Sequence, residues 1–239
     1  MLYSIIDYKQ RKKMTYRHII PYCAVPTAKK QLRYLNQYPW RYLISPFRPR
    51  IKFVDRCPGY AIDNGAWVFF NRKLEYDPSL FLKDVYDYGE NADFVVIPDV
   101  VENREKTLEM SDFWIKKLEK YRLLIVAQDG MTIEELEEFT RHDIGIFIGG
   151  STDWKLLMIA PIARLCIKYN VLCHVGRVNT KRRVDLCING GAHSFDGSGM
   201  ARFEGTARII TNYMLQLETD LFPRNFENIK RRYIYHDPN

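Results

Sequence analysis

Short runs of β-branched and aromatic residues recur eight times along this chain, and segments with apolar residues three and four apart lie between most of them. The runs fall at 18–24 (HIIPYCA), 42–47 (YLISPF), 60–64 (YAIDN), 94–99 (FVVIPD), 123–128 (LLIVAQ), 144–149 (IGIFIG), 171–176 (VLCHVG) and 193–197 (HSFDG), each of strand length. Helical spacing covers 27–38, 78–89, 102–121, 132–142, 153–169, 179–189 and 202–217, so one strand, the second, lacks an obvious helix after it. This alternation implies parallel βαβ units, because parallel neighbours need a crossover between them. Eight such units in 239 residues match the ~250 residues of a (β/α)8 TIM barrel, with a doubly wound open sheet as the alternative. The expectation is a single domain over 1–239, with the barrel at about 15–217 and a C-terminal appendage at 218–239.

At 46% hydrophobic and 27% charged residues, the chain has enough apolar side chains to bury a core. No run approaches the ~18 apolar residues of a membrane span. The start, MLYSIIDYKQRKKM, places its basic cluster after the apolar stretch, unlike a secretory signal. A soluble, cytoplasmic protein with no membrane partner is expected. The net charge of +7 is unevenly spread: residues 1–60 carry 13 basic and 2 acidic side chains, residues 61–150 carry 10 and 19, and residues 151–239 carry 13 and 8. In a barrel, whose first and last strands are neighbours, the two basic ends would join into one face suited to a polyanion; a solvated surface has the same composition. Cys23, Cys57, Cys166, Cys173 and Cys187 contain no CxxC pair, so reduced thiols are expected, with no disulfide framework, metal site or cofactor.

In α/β barrels and open sheets alike, ligands gather at the carboxyl ends of the strands. Here those ends read Asp63-Asn64-Gly65, Pro98-Asp99, Gln128-Asp129-Gly130, Gly149-Gly150-Ser151, His174-Val175-Gly176-Arg177 and Asp196-Gly197-Ser198-Gly199. Singly, each has a plain structural explanation: Asx-Gly pairs form turns, Asp99 could cap a helix, and a double glycine can be only a tight turn. Together, Asp63, Asp99 and Asp196, the Gln128 amide, the His174 imidazole and the Gly149-Gly150 backbone would line one rim. Two carboxylates facing an anomeric carbon suit glycosyl chemistry, one as nucleophile and one handling the proton. Phosphoryl transfer is disfavoured, since there is no GxxxxGK[ST] loop.

The strings AIDNGAW (61–67), VIPDVV (96–101), IVAQDG (125–130), IFIGG (146–150), CHVGRV (173–178) and HSFDGSGMAR (193–202) resemble, in order and spacing, the motifs of tRNA-guanine transglycosylases. These are (β/α)8 enzymes that exchange guanine for a 7-deazaguanine base. The resemblance implies Asp196 as the nucleophile toward C1′ and Asp63 as the proton-handling carboxylate. It implies Trp67 as the aromatic stacking position, Asp99 as reader of the guanine N1 and exocyclic amine, Gln128 as reader of its carbonyl, and Gly149 and Gly150 as backbone donors. Cys173 or His174 occupies the segment that covers the other base face.

The departures are equally specific. The tRNA-acting members carry a CxCxxC and a distant His for a structural zinc, whereas this chain has no CxC and is far shorter. Asn64 stands where many members have Ser, and the stretch after Asp196 lacks their Cys and Pro-Thr-Arg. The pattern looks more like the compact DNA-guanine transglycosylases of 7-deazaguanine DNA-modification systems. That similarity implies DNA as polymer partner, with tRNA the alternative, and a free 7-deazaguanine base, such as 7-cyano-7-deazaguanine, as second substrate. A homodimer or a partner modification enzyme is compatible with it. A base inside a duplex must be extruded to react, and Arg48, Arg50, Lys52, Arg177, Lys181, Arg182, Arg183 and Arg202 follow strand ends where they could hold phosphates. The terminal runs at 11–13 and 230–232 are further candidates.

Overall fold

The computed structural model describes residues 19–26, 29–47 and 57–221. Eight parallel strands close into a barrel in sequence order, and β1 pairs with both β2 and β8. Closure excludes the open-sheet alternative. The strands are β1 (Ile20–Ala24), β2 (Arg41–Ile44), β3 (Tyr60–Ile62), β4 (Val95–Val96), β5 (Leu123–Ala127), β6 (Gly145–Ile148), β7 (Cys173–Val175) and β8 (Ser194–Gly197). The helices are α1 (Lys29–Leu35), α2 (Ala66–Asn71), α3 (Pro78–Tyr88), α4 (Arg104–Lys117), α5 (Ile133–Thr140), α6 (Thr152–Tyr169), α7 (Lys181–Gly190), α8 (Gly199–Arg202) and α9 (Glu204–Leu221).

Their ends follow local chemistry. Asp77, Asn103, Thr132, Ser151 and Thr180 each accept a hydrogen bond from a backbone N–H in the first turn of the helix that follows, which satisfies donors a helix leaves open. Gly191 ends α7 at φ 88, a left-handed conformation that favours glycine. Strand β5 is buried on both faces, as a parallel strand flanked by helices must be. Leu124 and Val126 fill the barrel lumen with Tyr22, Leu43, Ala61, Phe94 and Val96, while Leu123, Ile125 and Ala127 join the shell under the helices.

Three differences from the sequence expectation have physical causes. The 94–99 run pairs over Val95–Val96 alone, because Pro98 carries no N–H for the ladder. A short helix, α2, for which the sequence showed no helical spacing, begins straight after β3; Gly65 at φ 77 turns the chain into it. The expected helix at 202–217 breaks at Phe203, which is extended. The second piece, α9, reaches Leu221, with buried Glu218 accepting from the Tyr38 hydroxyl at 2.9 Å, so any appendage begins after 221. The rest of the expected appendage lies outside the described residues, as do the terminal basic runs. At the amino-terminal end of the barrel, Asp93 pairs with Arg41 and accepts from the Tyr22 hydroxyl at 2.9 Å. All five cysteines are free, and Cys57 alone is not fully buried. Among the described residues, no helix is long and apolar enough to cross a membrane.

Candidate active site

The carboxyl ends of the strands surround a cavity of about 930 Å³ whose walls include Asp63, Asp99 and Asp196, from β3, β4 and β8. Asp196 is only 9% exposed. Its Oδ1 lies 3.2 Å from Nε2 of His174, whose Nδ1 lies 2.8 Å from the Ser194 hydroxyl. The imidazole is wholly buried and stacked on Phe147 at 4.9 Å between ring centroids. It therefore sits beneath Asp196 as a fixed support and forms no part of the cavity wall. Cys173, one residue earlier, points the opposite way into the outer shell, as alternation along a strand requires. Neither residue is placed to cover a base; Phe147 and Val126 line the cavity instead.

Burial and the neighbouring charge of Asp196 push the Asp63 carboxyl up to about 7, against a downward pull from the Ser45 hydroxyl. Burial likewise raises Asp99 to about 6, opposed by the Asn64 amide. Two amides grip Asp99: Asn64 Nδ2 donates to one oxygen at 2.7 Å and Gln128 Nε2 to the other at 2.8 Å. Gln128 departs from the role its motif implied. Its Nε2 is also 2.8 Å from the Val100 carbonyl and 3.1 Å from the Thr107 hydroxyl, while its Oε1 accepts from the Glu102 N–H at 2.7 Å. With both ends of the amide committed to the protein, Gln128 positions Asp99 and has no donor left over for a ligand carbonyl.

The Gly149-Gly150 turn is required by space. A Cβ on Gly149 would lie 2.7 Å from Val126, and one on Gly150, at φ +66, would lie 2.3 Å from Asp129 Oδ1. That same oxygen accepts from the Ser151 N–H at 2.6 Å. The Gly150 carbonyl accepts from the Arg177 guanidinium, which also lies 4.3 Å over the Trp67 ring. Trp67 follows β3 and Arg177 follows β7, on opposite sides of an eight-stranded ring, so their stack bridges the mouth of the cavity.

Of the other basic candidates, Arg202 lines the cavity. Arg183 donates to the Arg177 carbonyl at 3.3 Å, and Lys181 and Arg182 are exposed on the first turn of α7. Arg48, Arg50 and Lys52 lie outside the described residues. Sequence reasoning missed Arg72, which lines the cavity with its guanidinium 4.8 Å over Phe47. It also missed Lys155, a buried lysine in α6 whose ammonium donates to the Gly176 carbonyl at 2.5 Å. Burial and the nearby Arg177 lower Lys155 to about 7, with Asp196 pulling the other way. Its one legible signal is a charge among the apolar residues of WKLLMIA. Among the described residues, no three of His, Cys, Asp or Glu are grouped so as to hold a metal ion.

No family model matches this chain, and no curated protein matches it. In fold it is similar to a structure described as a fructose-1,6-biphosphate aldolase from Coccidioides immitis, with TM-score 0.53 and 14% identity over 93% of each chain. It is also similar to dihydrodipicolinate synthase from Bacillus clausii, with TM-score 0.54 and 12% identity over 94% of this chain and 84% of that one. A third likeness is to β-methylaspartase from Clostridium tetanomorphum, with TM-score 0.51 and 14% identity over 88% of this chain and 62% of that one. At such identities the likeness is one of barrel architecture alone, and a barrel hosts many chemistries.

Proposed function

We propose that this protein is an enzyme, a pentosyltransferase that exchanges guanine in DNA for a free 7-deazaguanine base. One observation carries the reading: carboxylates from three separate strand ends share one cavity, and Asp63 holds its proton to about 7 partly because Asp196 stands near it. In the first step the Asp196 carboxylate attacks C1′. The C1′–N9 bond breaks, its electron pair leaves with guanine, and Asp63 gives guanine a proton. The incoming base then returns a proton to Asp63 and attacks C1′ from the face guanine left, which frees Asp196. This double displacement retains configuration, and general acid–base help is worth on the order of 10²–10⁴ in rate. Asp99, clamped by Asn64 and Gln128, offers two oxygens to the N1–H and exocyclic amine of a guanine-like edge. Adenine, which would leave such an acceptor unpaired, is rejected by roughly 1–3 kcal/mol.

The test is incorporation of labelled guanine into DNA by the full chain. Wild type is expected to incorporate it and Asp196→Ala to lose incorporation entirely; no exchange by wild type, or full exchange by the variant, overturns the reading. DNA and tRNA offered in competition identify the polymer, and preference for tRNA would correct the DNA assignment. Salt-sensitive binding without exchange would mark a non-catalytic nucleic-acid-binding barrel.

A further inference from the structure

Helix α2 is six residues long and has two aromatic faces. Phe69 is buried within the protein, whereas Trp67 and Phe70, three apart and therefore on one side of the helix, are 42% and 44% exposed. Their rings lie 5.7 Å apart and within 26° of parallel, so they make one flat, stepped surface. Trp67 lines the cavity and Phe70 lies beyond it, so the surface begins at the mouth and continues outward. Phe47, 42% exposed, stands on the same rim, packed on Phe69 at 4.7 Å. Guanidinium groups cover these rings: Arg177 at 4.3 Å over Trp67 and Arg72 at 4.8 Å over Phe47.

Exposed aromatic rings with cations interleaved are the chemistry that holds single-stranded nucleic acid, the rings stacking bases and the cations meeting phosphates. The two rings leave a large apolar area unburied at the cavity mouth, and contiguous exposed apolar patches mark interaction sites. We propose that the Trp67–Phe70 surface is a stacking site for an unpaired base of the DNA strand, next to the nucleotide that enters the cavity. Arg72 and Arg177 meet the phosphates on either side. The proposal rests on the reading of the cavity as a site for an extruded nucleotide, and it adds a strand preference: DNA that is single-stranded or locally opened binds better than closed duplex, because a base stacked inside a duplex has both faces covered by its neighbours.

The experiment uses the full chain and a fluorescein-labelled thymine-only oligonucleotide, which contains no guanine and so reports the surface apart from base exchange. Fluorescence anisotropy is measured with the single strand, with the same strand paired to its complement, and with an abasic strand of equal length. Phe70→Ala is expected to weaken the thymine strand about tenfold, in line with ~1–3 kcal/mol per stacked base, and to leave duplex and abasic binding within twofold. Phe70→Tyr is expected to restore the affinity. Because Phe70 is exposed, circular dichroism should show both variants folded. Equal affinity of wild type and Phe70→Ala for the thymine strand, or an equal loss with the abasic strand, overturns the proposal. Phe70-dependent thymine-strand binding by a protein that exchanges no guanine upholds the stacking site while the transglycosylase reading fails.

Discussion

Asp63 and Asp99, two carboxyls lining one cavity, are raised to about 7 and about 6 by burial. Both bind protons more tightly in the folded chain than in an unfolded one, where a carboxyl sits near 3.8. Their contribution to stability is therefore complete below about pH 4 and is lost as the pH rises through about 6 and about 7. Asp63→Asn, which cannot ionise, should melt above wild type at pH 8 and converge with it at pH 4; calorimetry at the two pH values checks this. For the proposed exchange, kcat/KM toward DNA should rise as Asp99 ionises through about 6 and fall as Asp63 loses its proton above about 7. A flat profile between pH 5 and 9 would remove both carboxyls from those roles. The polar residue types at these positions were legible in the sequence because they stand where strands end. Their partners were not: Gln128 looked like a ligand-reading amide, and only the contacts with Asp99, Val100 and Glu102 turn it into a support.

At the scale of elements, the loops after the strands decide the site. The turn after β6 bends at Gly150, at φ +66, so that its carbonyl meets Arg177 while Asp129 takes the Ser151 N–H. Gly150→Ala adds a Cβ in a left-handed conformation and 2.3 Å from Asp129 Oδ1. It should lower stability by about 1–3 kcal/mol and release the Arg177 contact. Gly205, in the first turn of α9, has nothing within 4 Å of a Cβ, so Gly205→Ala should stabilise by about 0.4–1 kcal/mol. Urea unfolding of the two variants reads opposite signs for the same chemical change. Seven helices and eight strands were legible in the sequence as changes of period between 3.6 and 2. Helix α2 was not, because six residues make less than two turns, too few for a period to emerge.

At the scale of the molecule, the two ends of the barrel do different work. The cavity and its carboxylates occupy the carboxyl end, while Asp93, Arg41 and the Tyr22 hydroxyl form a partly buried cluster at the other. In barrels of this kind the amino-terminal face serves stability. Asp93→Ala strands the Arg41 cation and the Tyr22 hydroxyl, and should lower unfolding free energy by about 2 kcal/mol. Exchange activity per folded molecule should stay within about threefold, measured by denaturant titration alongside the exchange assay. What the sequence alone determined was local and repetitive: the alternation of strand and helix, the punctuation between them, and the concentration of Asp, Gly and amide residues just past the strands. What the tertiary structure decided was which of those residues meet. His174 reaches Asp196 from the neighbouring strand, and Arg177 crosses from β7 to Trp67 beyond β3. Lys155 ties α6 to the Gly176 carbonyl. These pairs depend on ring closure and on single backbone angles such as φ 60 at Arg177, which no hydrophobic period encodes.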